Sequence, residues 1–170
     1  FIDAFAQITE RHPRARLLFV GNGQERTALI EKTRALGLDH AVEFANPIQA
    51  AELAPILSGA TVSLASLRPA GGYDYAFTTK VYSSLAAGCP VIFTGVGPTV
   101  DFLRDADEPA AGVAVEYDVD AVAAAMEDAI STSPGPAVRE RISAWAHARY
   151  SLAALAERVV GASLPLARPR

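Results

Sequence analysis

Short apolar runs rich in Val, Leu and Phe alternate along the chain with longer segments in which apolar residues recur every three or four positions. That alternation is the signature of repeated β-α units around a parallel sheet. The runs predict strands at about Arg16–Val20, Ala41–Phe44, Thr61–Ala65, Val91–Thr94 and Gly112–Val115. Each is nearly all apolar, as a strand covered by helices on both faces should be. Helices are predicted near Gln24–Leu36, Ala50–Ser58, Thr79–Ala87, Thr99–Arg104 and Val119–Ile130. Ala50, Leu53, Ile56 and Leu57 form one apolar stripe, and Val122, Met126 and Ile130 another. Gly37 and Gly88 punctuate helix ends, the latter just before Pro90. Phe1–Phe5 reads as one face of a further helix. Two more close the chain, with stripes Val138, Ile142, Trp145 and Leu152, Leu155, Val159, and Ser151 is the expected N-cap of the last. The fold class is therefore α/β, a Rossmann-like parallel sheet of about five to six strands with helices on both faces. Residues 1–163 form one domain and residues 164–170 a loose tail.

Composition narrows the function. The chain has 170 residues and a formal net charge of −4, the size of one domain. No apolar run reaches the roughly 18 residues of a membrane span. The acidic balance and scattered basic residues argue against nucleic acid as a partner. A single cysteine, Cys89, excludes an internal disulfide framework and fits a reducing compartment, so a cytoplasmic location is expected. The chain starts at Phe1 rather than Met and reads as cut from something longer. Only two of the 15 basic residues are lysines, Lys32 and Lys80, which makes each worth locating.

One connection is unusually long. Ser66 to Phe77 runs Ser-Leu-Arg-Pro-Ala-Gly-Gly-Tyr-Asp-Tyr-Ala-Phe between a predicted strand and a predicted helix, beyond the roughly 2–6 residues usual for such loops. Ligands of open α/β sheets bind beyond the carboxyl ends of strands, where this loop lies. Thr78-Thr79-Lys80 follows at a helix start, where open backbone N–H groups favour an anion. Either a phosphate is held by the Thr78–Lys80 amides, a Thr hydroxyl and the Lys80 ammonium, or a Thr merely caps the helix while Lys80 reaches water. Gly21-Asn22-Gly23 ends a strand and feeds a helix, which permits close backbone approach. It is not a dinucleotide fingerprint, because Arg26 stands where the third glycine belongs. Gly95-Val96-Gly97-Pro98 is a third glycine turn, most simply a connection with Pro98 opening the next helix. Together the three describe a nucleotide cleft better than any one does. Asp74, between Tyr73 and Tyr75, is either a sugar-facing carboxylate or an exposed loop acid. His12, His40 and His147 have no metal-ligand spacing. Cys89 has no nucleophile's partner and is expected to pack beside Pro90.

In order, Phe1-Ile2-Asp3-Ala4-Phe5, Val20-Gly21-Asn22-Gly23, Thr78-Thr79-Lys80-Val81-Tyr82, Leu85-Ala86-Ala87-Gly88-Cys89-Pro90-Val91-Ile92 and Thr94-Gly95-Val96-Gly97 resemble the C-terminal, donor-binding domain of GT-B glycosyltransferases of the retaining group 1 type (family 4). The resemblance runs from Phe1 to about Val160. It implies that the domain binds a nucleoside diphosphate sugar, with Gly21 and Gly23 bordering the donor cleft and Asn46 and Ile48 near the base. Asp74, Tyr75, Phe77, Thr78, Thr79, Lys80 and Ser83 would face phosphates and sugar. It implies no cofactor and no metal, the departing diphosphate being stabilised by positive charge and helix-end amides. It assigns no catalytic residue.

Two departures matter. Many members carry two glutamates eight positions apart around the donor helix, and here those places hold Tyr75 and Ser83. The family's first strand of this domain, its basic diphosphate grip and its acceptor domain would all precede Phe1. The absent acceptor half is the expected partner, peripheral membrane association through it stays open, and the isolated chain is expected to be inactive. Two rival readings remain: a nucleotide-sugar epimerase of the same layout, and a non-catalytic, degenerate Rossmann-like module.

Overall fold

A computed structural model describes residues 1–163; the expected tail, 164–170, lies outside the described residues. The chain opens with α1 (Ile2–Thr9), whose Ile2, Ala4, Phe5 and Ile8 are buried at helical spacing. It continues through β1 (Leu17–Val20), α2 (Arg26–Ala35), β2 (Val42–Ala45) and α3 (Ala50–Gly59). Then come β3 (Ser63–Leu67), α4 (Lys80–Ala86), β4 (Val91–Gly95), α5 (Pro98–Arg104) and β5 (Gly112–Val115), with one 3-10 turn at Pro109–Ala111. Three helices finish the described chain: α6 (Val119–Ser131), α7 (Pro136–Tyr150) and α8 (Leu152–Ser163).

All strand pairs are parallel, as the apolar runs required, but they form two sheets instead of one of five to six strands. β1 pairs with β2, and β4 lies between β3 and β5. β1 and β3 do not pair with each other. The central strand is the most buried: Val91, Ile92, Phe93 and Thr94 are all inside. β3 is displaced by two residues from its sequence expectation. Thr61 and Val62 have strand-like side chains, yet the ladder starts where Ser63 N–H donates to Pro90 O at 2.9 Å and Ser63 aligns with Val91.

Helix boundaries carry local chemistry. Asp118 caps α6, its carboxylate accepting from the Asp120 and Ala121 N–H groups at 3.0 Å each. Pro98 opens α5 at the position where its missing N–H costs nothing. Ser151 Oγ accepts from Ala154 N–H at the start of α8, as expected.

Two apolar clusters result. One joins α1, α6, β1 and β2 through Ile2, Phe5, Ile8, Leu17, Val42 and Met126. The other packs α4, α5 and α7 on β4 through Val81, Leu85, Phe93, Leu103, Ile142 and Trp145. An aromatic group flanks the second: Phe77 stacks on Tyr82 at 4.5 Å, and Tyr150 meets both Tyr82 and Phe102 at 5.2 Å. Among the described residues no helix is long and apolar enough to cross a membrane.

Candidate functional site

The loops that leave the carboxyl ends of the strands are tied to one another, which places them on one edge of the domain. At the end of β1, Gly21 takes φ +136°, a conformation that side chains rarely adopt. Arg26, in the place where a dinucleotide fingerprint would have its third glycine, reaches back across the turn. Its guanidinium donates to Gly21 O at 2.7 Å, Ala45 O at 2.9 Å and Phe44 O at 3.0 Å. It also lies over the Phe44 ring, which stacks on Phe19. The carboxyl ends of β1 and β2 are thus clamped by one charged side chain. Gly23 and Asn46 are exposed beyond the clamp, and Ile48 is half-buried.

After β3 the chain spends residues 68–79 before α4 begins. Ala70 has φ +59° and Gly72 φ +76°, and Ala76 N–H closes a turn onto Tyr73 O at 2.8 Å. That turn holds Asp74 and Tyr75 out in solvent, with Tyr73 60% and Tyr75 79% exposed. Phe77 turns the other way into the aromatic group. Thr78 N–H donates to the Thr99 hydroxyl at 3.0 Å, so this amide is already used and only part of the Thr78–Lys80 cradle stays open. Among the described residues, the N–H groups of Thr79 and Lys80 meet no acceptor.

Neither Thr78 nor Thr79 caps α4 with its side chain. The capping alternative for these two residues therefore loses its hydrogen bond. The two lysines also differ: Lys32 is paired with Asp3, whereas Lys80 is exposed and in no ion pair among the described residues. Ser83 lies exposed on the same short helix.

Arg68 links three of these loops. Its guanidinium meets the Glu25 carboxylate, after β1, at 3.2 Å. A hydrogen bond to Tyr117, after β5, and the Glu25 charge raise its pKa above the ordinary arginine value. Thr94 Oγ1 donates to Glu116 O at 2.6 Å, fixing the β5 loop on β4. The sequence did not single out Arg26, Arg68 or Thr99. Arg26 counted only as a missing glycine, and the partners of the other two are far away along the chain.

Other chemistry is dispersed. His12 approaches Glu127 at 3.6 Å while His40 sits by Gly37 O at 3.1 Å. Among the described residues no group of three His, Cys, Asp or Glu of metal-binding geometry forms. Cys89 is fully buried, and burial pushes its thiol up to about 11. Two surface concavities lie elsewhere, about 330 Å³ between α7 and α8 and about 260 Å³ along β1 and β2. Neither is lined by the residues 68–80.

A family model described as glycosyl transferases, group 1, matches residues 1–132. The chain belongs to the group 1 glycosyltransferases. No curated protein matches it. Among solved structures, this group 1 glycosyltransferase chain is similar to sucrose-phosphate synthase from Thermosynechococcus elongatus, at TM-score 0.66 and 22% identity, over 98% of this chain and 43% of that one. It is similar to HepE of Anabaena in complex with UDP, at TM-score 0.72 and 17% identity, over 95% and 43%. A glycosyltransferase from Rickettsia africae gives TM-score 0.71 and 16% identity, over 99% and 44%. At such identities the likeness shows the fold, which is the α/β architecture expected of this family. The chain spans under half the length of these structures.

Proposed function

We propose that this chain is the donor-binding half of a glycosyltransferase that moves a sugar from a nucleoside diphosphate sugar to a glycan, lipid or small-molecule acceptor. The observation that carries the reading is the edge formed by Gly21–Gly23, Asn46–Ile48 and residues 74–80, with the unpaired Lys80 ammonium beside the open Thr79 and Lys80 amides. HepE, similar in fold, is described in complex with UDP and with UDP-glucose, which supports the same class of donor here.

In this reading the chain's residues supply electrostatics more than covalent chemistry. Lys80 and the two amides face the diphosphate, whose negative charge grows as the bond to the sugar breaks, and donors fixed before the reaction stabilise that charge without reorganising. The transfer needs no metal in this scheme. Gly21 and Gly23 let the donor approach the backbone, and Asn46 and Ile48 border the base. Asp74 and Tyr75, exposed on their turn, and Ser83 face the sugar. Phe77, packed on Tyr82, supports the turn from beneath. The acceptor and the remaining diphosphate contacts come from a partner domain, so the isolated chain is inactive in transfer. The protein works in the cytoplasm.

Calorimetric titration with UDP and GDP tests the reading. Binding of one of them, weakened about tenfold in Lys80→Ala, is expected, since tenfold corresponds to about 1.4 kcal/mol, a size reasonable for one charged contact. The melting temperature should not move, because the exposed Lys80 side chain is in no ion pair among the described residues, and the carbonyl that accepts Ser84 Oγ stays in the variant. Equal affinity in the variant removes Lys80 from the site, and no binding of either nucleotide by the folded protein removes the reading.

A further inference from the structure

Thr99 is a polar residue with no exposed surface at all, on the first turn of α5. Its hydroxyl oxygen is not spent on capping its own helix. It accepts from Thr78 N–H, 21 positions earlier, at 3.0 Å. Two residues before it, Gly97 takes φ +95°, and a Cβ there would lie 2.7 Å from Asp74 O and 3.2 Å from Ala76 O. The turn that leaves β4 therefore meets the residues 74–78 backbone to backbone, and a methyl group at position 97 would collide with it.

The loop has weak support of its own. Its internal hydrogen bond, Ala76 N–H to Tyr73 O, closes one turn. Ala70 holds a left-handed conformation that costs a non-glycine residue energy. The Arg68–Glu25 pair is about two-thirds exposed on both sides, the kind of contact that contributes little. Besides the packing of Phe77 on Tyr82 and Phe102, the segment just before Lys80 is fixed by its contacts with Gly97 and Thr99.

We infer that Thr99 and Gly97 are positioning residues for the donor site. The Thr99 hydroxyl occupies the Thr78 amide and the bare Gly97 backbone seats Asp74–Ala76, leaving the Thr79 and Lys80 amides open and aligned. This inference rests on the proposed function and adds how its site is held in shape. A sequence reading takes Gly95–Pro98 as a plain turn; the structure makes it the template for the loop beside it.

The test uses Thr99→Ser, which keeps the acceptor, Thr99→Val, which keeps the shape and removes it, and Gly97→Ala, which leaves the Thr99 hydroxyl untouched. Two readouts are taken at a temperature where circular dichroism shows each variant folded: hydrogen exchange at the Thr78 amide, and calorimetric affinity for UDP and GDP. Thr99→Ser should keep both. Thr99→Val should lose Thr78 protection and weaken nucleotide binding about tenfold, the scale of one unsatisfied buried group. Gly97→Ala should weaken binding as well, through the displaced Asp74–Ala76 backbone. Wild-type affinity in Thr99→Val overturns the inference. So does equal weakening in Thr99→Ser, which would trace the loss to packing and not to the hydroxyl. A wild-type protein that binds neither nucleotide defeats the functional reading itself, and Thr78 exchange then still reports whether the clamp exists, so the two failures are told apart.

Discussion

Glu108 offers the sharpest prediction about what holds the second core in place. Its side chain is 7% exposed and receives Arg141 in two bonds, Nε at 2.7 Å and Nη2 at 3.1 Å, while also accepting Ala110 N–H at 3.1 Å. The arrangement joins α7 to the 3-10 turn before β5. Glu108→Gln keeps the shape, but its amide nitrogen must now face one of the guanidinium donors. Hydrogen bonds to charged groups are worth about 1.5–3 kcal/mol, and exposed ion pairs about 0–1. Arg141 is 57% exposed and can return to water, so the loss lies between those limits, at about 1.5 kcal/mol at pH 7. For a domain of this length that lowers Tm by about 3–6 °C.

The pH dependence fixes the cause. The hydrogen bonds and charge of Arg141 hold the Glu108 carboxyl below its ordinary value of 4.5. A carboxyl lowered in the folded state contributes its stability above the unfolded value and loses it as pH falls through the folded one. The Tm gap between wild type and Glu108→Gln should therefore be full at pH 7 and close on going well below pH 4.5. Thermal unfolding followed by circular dichroism across that range is the assay. A gap of the same size at both ends, or none at pH 7, refutes the argument.

Two further outcomes follow from the geometry. Cys89, buried and with its thiol raised to about 11, should resist iodoacetamide at pH 8 in the folded protein and react once urea unfolds it; labelling at the same rate in both states counts against its burial. Arg26→Met keeps the apolar stem and deletes three donors to strand-end carbonyls; chemical denaturation should show a loss of about 1–3 kcal/mol, and an unchanged midpoint would mean that water replaces the clamp without cost.

What the sequence made legible was whatever is written locally. The five apolar runs became five strands, but cover on both faces holds along β4 alone; β1 leaves Leu18 and β5 leaves Val113 exposed. The long connection after β3 was visible through its Pro, Gly and Tyr content, and Ser151 through its place between two helical stripes. β3 came out two residues late because Thr61 and Val62 suit a strand by side chain alone, while pairing with Val91 decided where the ladder begins. The division into two sheets is a property of pairing, on which local pattern is silent. The Thr78–Thr99 bond spans 21 positions and the Arg68–Glu25 pair 43; neither leaves a periodic trace. Phe77 also stacks on Tyr82 and meets Phe102 edge-on, contacts on which local pattern is silent. At position 26 a dinucleotide fingerprint has a glycine, whereas the arginine here satisfies three carbonyls and holds the turn by other means.

The most direct test of the central claim is a titration of the isotopically labelled protein with UDP and with GDP, following backbone amide shifts by nuclear magnetic resonance. The account predicts that the nucleotide which binds shifts Thr79 and Lys80 most, with Gly21 and Gly23 next and Thr78 less, its N–H being held by Thr99. Largest shifts in the concavity between α7 and α8, at Ala148, Ala154 and Glu157, with Thr79 and Lys80 unmoved, would contradict it.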